Sequence, residues 1–339
     1  MRYRHFGGAR PCLLGLVVLV LLLLWQLDGP AGASVARDEH SALGAELQIP
    51  VTVWSDDAVP ATAVVVAVHG LVMHGGSFDT LARRLAAQGC LVVAPDMRGH
   101  GRWLGGGSGL QPDGNNIDYL KSEGDLAALV VRLKAGHPHL PLFLVGESLG
   151  ASLSIRVAAT RPGSVDGLVL SSPAVKHRYL PLKRAVMDAR GILTPHRQID
   201  LTPYIEQCAS EDPKIIEGMM QDPLVRKHLN SLEVLKTMAM AQSTLKYAKA
   251  VEPGVPVLII QGDADRLLKS NAVVALLGRL RCKDETVRWF HARGHVLLET
   301  AFIRADTLET VQGWLGQHAR AAAVQTASTV SEMSPVKQN

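Results

Sequence analysis

Four short runs of apolar residues stand out along the chain, and each is followed at once by a polar turn. None of them shows the alternation of apolar and polar residues that marks a strand with one face in water. Runs of this length, rich in valine, isoleucine and leucine, are typical of strands covered on both faces in a parallel sheet. The four runs are Ala63–Val68, Leu91–Ala94, Leu142–Val145 and Val257–Ile260, with further candidate strands at Gly167–Leu170, Thr286–Phe290 and, as an edge strand, Val51–Trp54.

Segments with apolar residues at helical spacing lie between these strands. In residues 118–135, for example, Leu126, Leu129, Val130 and Leu133 would share one face of a helix. Strands that alternate with helices predict a doubly wound α/β domain with a mostly parallel sheet. The predicted helices are Ser77–Ala87, Asp118–Ala135, Ser148–Thr160, Asn271–Leu280 and Ala301–His318.

Residues 174–254 interrupt this alternation, because they contain no convincing strand but several helix-compatible pieces separated by prolines. An insertion of this kind, placed before the strand that leads to the candidate acid, predicts a helical cap. After residue 318 the sequence turns to alanine, serine, threonine and glutamine, which favours a flexible tail. The expected organisation is an N-terminal segment (1–33), a core in two parts (34–173 and 255–318), the cap (174–254) and the tail (319–339).

The first 33 residues form a separate unit. Arg2, Arg4 and Arg10 precede the uncharged apolar run Cys12–Trp25, and small residues follow at 31–33. This order is that of a secretory signal. The run has 14 residues and would be about 21 Å long as a helix. A helix that crosses a bilayer needs roughly 20 residues, so this run is short for a membrane span. An uncleaved anchor through residues 12–25 is the alternative, and in both cases the body of the protein is expected to be exported, either periplasmic or secreted.

Composition and charge narrow the classes of function. The chain has 339 residues, of which 47% are hydrophobic and 19% charged, as expected for a globular protein with a large core. The formal net charge is +4, and half of that excess lies in the N-terminal segment, so we expect no nucleic-acid surface. The mature chain would keep Cys90, Cys208 and Cys282, an odd count without metal-ligand spacing. Neither a disulfide framework, nor a metal, nor another cofactor is expected.

The third apolar run ends at a candidate nucleophile. In an open parallel sheet, ligands bind at the carboxyl ends of the strands. Leu142–Val145 is followed by GESLG at 146–150 and then by a predicted helix. Glycines at both ends permit a strand-to-helix turn so tight that Ser148 would project freely. The pattern by itself is weak, and a phosphate-binding or structural turn is the alternative.

An acid and a base follow in the order serine, acid, histidine, which is expected of a hydrolase built on such a sheet. Asp265 is favoured as the acid over Asp263, which lies next to a glycine and suits a turn cap. His295, in a loop after a glycine, is favoured as the base over His291, which ends a strand. The histidine would accept the proton of Ser148, and the carboxylate would orient the ring.

Acyl transfer also requires hydrogen-bond donors for the oxyanion. Gly70 follows the first strand and allows the backbone to turn its amides inward. The N–H groups of Leu71 and Leu149 are therefore the expected pair of donors. His69 is expected to support this turn through a hydrogen bond rather than to take part in catalysis. The pattern assigns no substrate-binding residue.

Taken in order, these motifs resemble the α/β-hydrolase fold and, more narrowly, the monoacylglycerol lipase and lysophospholipase group, also described as serine aminopeptidase-like. The resemblance spans about residues 45–318. It implies the roles given above to the serine, the aspartate, the histidine and the two leucine amides, and it implies a helical cap in the strandless interval. The matching segments are HGLVMHGGSF at 69–78, PDMRGHG at 95–101, GESLG at 146–150, SSPAV at 171–175, DPLV at 222–225, QGDADRLL at 261–268 and GHVLLE at 294–299.

The substrate implied by the resemblance is a monoacylglycerol, a lysophospholipid or a short ester, cleaved through an acyl-enzyme. The cap is then a candidate for contact with a membrane surface. Two departures from the family pattern affect the pocket entrance. Met73 precedes His74 where relatives usually carry glutamate. Arg102 and Trp103 follow the Arg-Gly-His-Gly turn, after which relatives usually have a serine within a few residues. Methionines in the cap suit an alkyl chain or fill gaps between helices; they are Met187, Met219, Met220, Met238 and Met240.

Three alternatives remain. A small-ester carboxylesterase would use the same residues. An aminopeptidase would need an acidic site for the substrate's amino group, for which Glu206, Glu211 and Asp212 are weak candidates. A non-catalytic binding protein on the same fold need not keep the serine, the aspartate and the histidine together.

We expect the exported chain to begin at Ser34, because cleavage of a secretory signal follows a pair of small residues such as Ala31 and Ala33. Intact mass measurement and N-terminal sequencing of the protein recovered outside the cytoplasm would test this. The variant Ala33→Leu should block cleavage and serves as the control. Recovery of the wild type in membranes with residues 1–33 still attached would instead favour the uncleaved anchor.

Overall fold

The structure is a computed structural model that describes residues 35–106, 116–175, 194, 196–269 and 271–333. Ten strands are found among these residues. Eight of them form one sheet, and the other two pair with each other. The strands are β1 Ala36–Asp38, β2 Val51–Ser55, β3 Ala63–Val68, β4 Cys90–Pro95, β5 Leu142–Glu147, β6 Gly167–Ser171, β7 Gln198–Asp200, β8 His228–Asn230, β9 Val257–Gly262 and β10 Glu285–Phe290.

The large sheet has the order β1-β2-β4-β3-β5-β6-β9-β10 and is mostly parallel. Only β2 runs antiparallel to its two neighbours, β1 and β4. Both faces of the central strands are buried: in β3, Val64 and Val66 belong to one hydrophobic cluster, whereas Val65 and Ala67 belong to the other. The apolar runs lack alternation for this reason, and the prediction of a doubly wound α/β sheet is confirmed.

Helices cover the two faces. On one face, α2 (Asp79–Ala86) and α9 (Ala305–Met333) contribute Leu81, Leu85 and Trp314 to the core. On the other face, α3 (Tyr119–Gly136) and α4 (Leu149–Thr160) contribute residues such as Leu129 and Ile155. The described helices are α1 Ala42–Leu47, α2 Asp79–Ala86, α3 Tyr119–Gly136, α4 Leu149–Thr160, α5 Thr202–Cys208, α6 Pro213–Gln221, α7 Ser231–Ala248, α8 Asn271–Leu277 and α9 Ala305–Met333, with 3-10 turns at Gly75–Phe78 and Gly101–Gly106.

The described part of the cap is mainly helical and lies in the chain between β6 and β9, as predicted. The expectation that it contains no strand was wrong, because β7 and β8 form a small antiparallel pair. These strands have three residues each, too few for a hydrophobic period to appear in the sequence. Residues 176–193, which include Met187, lie outside the described residues, so the exact limits of the cap stay a prediction.

Three other predictions need correction. Val51–Trp54 is a strand but not the edge, because the polar three-residue strand β1 pairs with its outer side. The last helix begins at Ala305 and continues to Met333, so residues 319–333 extend the helix instead of starting an irregular tail. Alanine-rich sequence has high helix propensity, and it outweighed the polar composition there. Finally, α8 ends at Leu277, three residues early.

The predicted export segment, residues 1–33, lies outside the described residues, as do residues 334–339. Among the helices that are described, none combines the length and the apolar character needed to cross a membrane. Cys90, Cys208 and Cys282 are each free and partly buried.

Arg226 ties the cap to the core. Its backbone N–H donates to the carbonyl oxygen of Val72 at 2.8 Å, and its guanidinium donates to the carbonyl oxygen of Gly99. The same guanidinium forms an ion pair of 2.7 Å with Glu233, whose side chain is 1% exposed. Glu233 also accepts from the backbone N–H of Ile117, so one buried pair joins the cap to two core loops.

We expect Arg226→Met to lower the free energy of unfolding by about 3–5 kcal/mol, because the buried carboxylate of Glu233 would lose its counter-ion and keep only backbone N–H donors. Urea unfolding followed by circular dichroism would measure the loss. The matched control is Arg132→Met, which breaks the exposed pair with Glu46 and should leave the midpoint nearly unchanged. Equal, small shifts for both variants would contradict the role given to Arg226.

Candidate active site

Ser148 lies on a sharp turn between β5 and α4. Its backbone has φ 54° and ψ −112°, a conformation that side-chain-bearing residues rarely adopt. The turn is tight because glycines flank it: a Cβ atom at Gly150 would lie 1.9 Å from the carbonyl oxygen of Val68, and one at Gly146 would lie 2.6 Å from the nitrogen of Ala151. The serine therefore projects from the turn at the amino terminus of α4.

His295 connects the serine to an acid. The hydroxyl of Ser148 lies 2.8 Å from Nε2 of His295, and Nδ1 of the same ring lies 2.8 Å from Oδ2 of Asp265. Burial opposes a charge on His295, but the Asp265 carboxylate outweighs this effect and raises the pKa of the ring. For Asp265, burial acts to raise the pKa, and the contacts with His295 and other donors lower it overall. The arrangement can accept a proton from the serine and stabilise the resulting imidazolium.

The structure separates the two candidate acids clearly. Asp265 accepts from the backbone N–H groups of Leu267 and Leu268 with Oδ1, which fixes the carboxylate while Oδ2 faces His295. Asp263 instead binds the exposed ring of His291 at 2.8 Å. It also accepts from the backbone of the turn after β10, so Asp263 and His291 form a surface pair away from the serine.

The predicted oxyanion turn lies beside the serine. Leu71 and Leu149 line one cavity together with Ser148 and His295. Within the described residues, neither leucine N–H donates to a protein acceptor, so both are available to a ligand. His69 supports this turn as expected, because its Nδ1 donates to the carbonyl oxygen of Gly70.

Sequence reasoning missed two buried glutamates behind the site. Glu147 accepts hydrogen bonds from four donors: the hydroxyl of Ser171 and the backbone N–H groups of residues 297, 298 and 299. Glu299 accepts from the backbone N–H of Gly70 at 2.7 Å. Glu147 thereby fixes the segment after His295, and Glu299 fixes the turn that carries Leu71, one of the two predicted oxyanion donors.

A charged residue inside or directly after an apolar stretch was the available signal for both glutamates. Glu147 ends the apolar strand β5, and Glu299 follows Val-Leu-Leu. Two other positioning residues, Ser172 and Gln261, carried no such signal. The hydroxyl of Ser172 donates to the carbonyl oxygen of His295 at 2.7 Å, and the amide of Gln261 donates to Asp265 at 2.8 Å.

The cavity beside the serine is mostly apolar. Its wall comes from the turn after β3, the cap and the loop after β9. Of the cap methionines that the structure describes, Met219 lines this cavity, whereas Met240 is buried in the core. The role of Met219 towards an alkyl chain stays a prediction, whereas Met240 fills space in the core. No group of three or more potential metal ligands occurs among the described side chains.

Comparison with known proteins agrees with this architecture. The family model described as serine aminopeptidase, S33, matches residues 59–300. The monoacylglycerol lipase of Mycolicibacterium smegmatis is 29% identical over 289 residues, 84% of this chain and 99% of that protein. The monoglyceride lipase of Homo sapiens is 28% identical over 283 residues, 81% of this chain and 88% of that protein. The crystal structure of Paleococcus ferrophilus monoacylglycerol lipase matches with a TM-score of 0.64 at 25% identity, over 80% of this chain and 99% of that one.

The fold and the serine turn define an α/β hydrolase. The chain belongs to the serine aminopeptidase S33 family and, within the α/β hydrolases, to the monoacylglycerol lipase-like group.

Burial of His69 makes a pH-dependent contribution to stability. Burial lowers the pKa of His69 from 6.5 to about 4. Between about pH 6.5 and pH 4, His69 binds a proton in the unfolded chain but stays neutral in the folded chain. The free energy of unfolding therefore decreases as the pH falls from about 6.5 towards 4. The shift corresponds to roughly 3 kcal/mol.

We expect His69→Gln to reduce the decrease in the free energy of unfolding between pH 6.5 and pH 4, because the variant has no imidazole ring to protonate. Urea unfolding at intervals between pH 7 and pH 4 would give the slope for each protein. The exposed control His291→Gln, whose side chain is 95% exposed, should keep the wild-type slope. A His69→Gln variant with the same slope as the wild type would contradict the assignment.

Proposed function

We propose that this protein is a serine hydrolase that cleaves carboxylic esters of single-chain lipids through an acyl-enzyme. The observation that carries the proposal is the chain of two 2.8 Å hydrogen bonds from Asp265 through His295 to Ser148, at the wall of an apolar cavity. The relatives named as monoacylglycerol and monoglyceride lipases support the same substrate class.

In the first half-reaction, Oγ of Ser148 attacks the ester carbonyl carbon and its proton passes to Nε2 of His295. The carbonyl oxygen becomes an oxyanion, which the N–H groups of Leu71 and Leu149 stabilise, each by about 3 kcal/mol. Collapse of the tetrahedral intermediate breaks the bond to the alcohol oxygen, and His295 returns the proton to that oxygen. Asp265 stays ionised and stabilises the charged ring throughout.

In the second half-reaction, a water molecule replaces the departed alcohol. His295 removes a proton from the water while the water oxygen attacks the acyl carbon, and the N–H groups of Leu71 and Leu149 bind the oxyanion again. The proton then passes from His295 to Oγ of Ser148 as the acyl bond breaks. The products are a free carboxylic acid and the regenerated serine.

The cavity favours an acyl chain over a peptide. Apolar side chains from three segments surround the serine, among them Val72, Ile205 and Leu268. An aminopeptidase would need a free carboxylate for the substrate's amino group. None of the three candidates, Glu206, Glu211 and Asp212, lines the cavity that contains Ser148, and Glu211 accepts from the backbone N–H of Gly294. Contact of the cap with a membrane surface stays a prediction.

We expect a fluorophosphonate probe to label the wild type, because it reacts with an activated serine, and we expect no labelling of Ser148→Ala or His295→Ala. Hydrolysis of a monoacylglycerol should fall by at least about 10³-fold in both variants. Asp265→Asn should lose about 10⁴-fold in kcat through the wrong tautomer of His295. The matched control Asp263→Asn should stay within a few-fold of the wild type.

Absence of labelling in a folded wild-type protein would refute the proposal and favour a non-catalytic binding protein. Labelling combined with turnover of aminoacyl amides but not of monoacylglycerols would favour the aminopeptidase. Labelling with turnover of short esters alone would favour a small-ester carboxylesterase.

A further inference from the structure

Two cavities meet behind the serine. The first, described above, is mostly apolar and contains Ser148. The second is an open cleft of about 220 Å³ that lies between α2, α6 and the segment after Glu299. Met73, Met219 and Glu299 line both cavities, and Glu299 provides the polar group of this shared wall. An ester held at the serine could therefore place its acyl half in one cavity and its alcohol half towards the other.

Glu147 and Glu299 lie close together behind the serine. Glu147 accepts from one hydroxyl and three backbone N–H donors. Glu299 has a single donor, the N–H of Gly70. Burial and the neighbouring Glu147 raise the pKa of Glu299 well above its usual value, which favours the protonated form of Glu299.

The second oxygen of Glu299 is open to a ligand. Glu299 is 2% exposed, and its Oε1 accepts from Gly70, whereas its Oε2 makes no hydrogen bond with any described residue. A Cβ atom built on Gly70 would lie 3.1 Å from Oε2 and 3.5 Å from Cβ of Ser148, so Gly70 lies next to both residues. Glu299 and Ser148 line the same cavity, and Glu299 also lines the second one.

We propose that Glu299 is a specificity-determining residue, which forms a hydrogen bond between its carboxyl group and a hydroxyl of the alcohol half of the ester. The inference rests on the proposed function and narrows its substrate to esters whose alcohol half carries a further hydroxyl group. A carboxyl group can form a hydrogen bond with such a hydroxyl, whereas a simple alkyl alcohol offers no partner and leaves the buried carboxyl oxygen unsatisfied.

The cleft carries charged groups of both signs. Asp79 and Asp222 line it, and Lys214 is its basic residue among the described side chains. Asp79 is paired with Arg83 and Arg37, and Asp222 with His74. Glu147 and His295 are the titratable groups on the serine side.

The test compares two esters with the same acyl chain, monooctanoylglycerol and ethyl octanoate, in wild type, Glu299→Gln and Glu299→Leu. Glutamine can accept from Gly70 and donate from its amide, so it should keep the wild-type ratio of kcat/KM for the two esters. Leucine cannot donate, and the ratio should fall about tenfold towards the ethyl ester. Disturbance of the Gly70 turn lowers both rates alike and cancels in the ratio.

Met219→Leu is the matched control, because Met219 lines both cavities but offers no hydrogen bond. It should change both rates by a common factor. An unchanged ratio in Glu299→Leu would overturn the inference and leave Glu299 as a support for Gly70 only. If the ratio of kcat/KM for the two esters fell equally in Glu299→Gln, that result would also overturn the inference. Failure of the wild type to hydrolyse either ester would instead refute the proposed function.

Discussion

The site depends on one close approach of two backbones, where the first turn of α4 lies directly against the end of β3. No side chain fits between them, because a Cβ atom at Gly150 would lie 1.9 Å from the carbonyl oxygen of Val68. This approach brings the amide of Leu149 to the same cavity as the turn that carries Leu71. It also holds Ser148 at a positive φ, a strain of order 1–3 kcal/mol that the surrounding structure must hold in place.

The loop that carries His295 is held by the same region that carries Ser148. Glu147 directly precedes Ser148, and its carboxylate binds three consecutive backbone amides in the segment after His295. A displacement of the serine turn would therefore move the histidine loop with it. The carbonyl oxygen of His295 is bound in turn by Ser172, from the end of β6. Three strand ends thus act as one rigid unit, which suits a site that must stabilise charge without reorganising.

Much of this could be predicted from local patterns. Each central strand is an unbroken apolar run because both of its faces are buried. The glycines around Ser148, and the loop positions of Asp265 and His295, follow from what a tight turn and a sheet edge require. The errors fell where local signals are weak. Strands β7 and β8 are too short to show a period. The last helix continues through an alanine-rich segment whose composition also fits a tail.

The sequence by itself determined the α/β architecture, the order of serine, acid and histidine, and the turn that presents the serine, because each depends on residues close together in the chain. Only the tertiary structure decided which of two aspartates faces His295 and why the pKa of the buried Glu299 is raised. Gly70 and Glu299 are 229 positions apart, yet they are joined by a 2.7 Å hydrogen bond. The charge of a buried carboxyl group depends on its desolvation and on the donors packed around it, and packing between distant segments sets both.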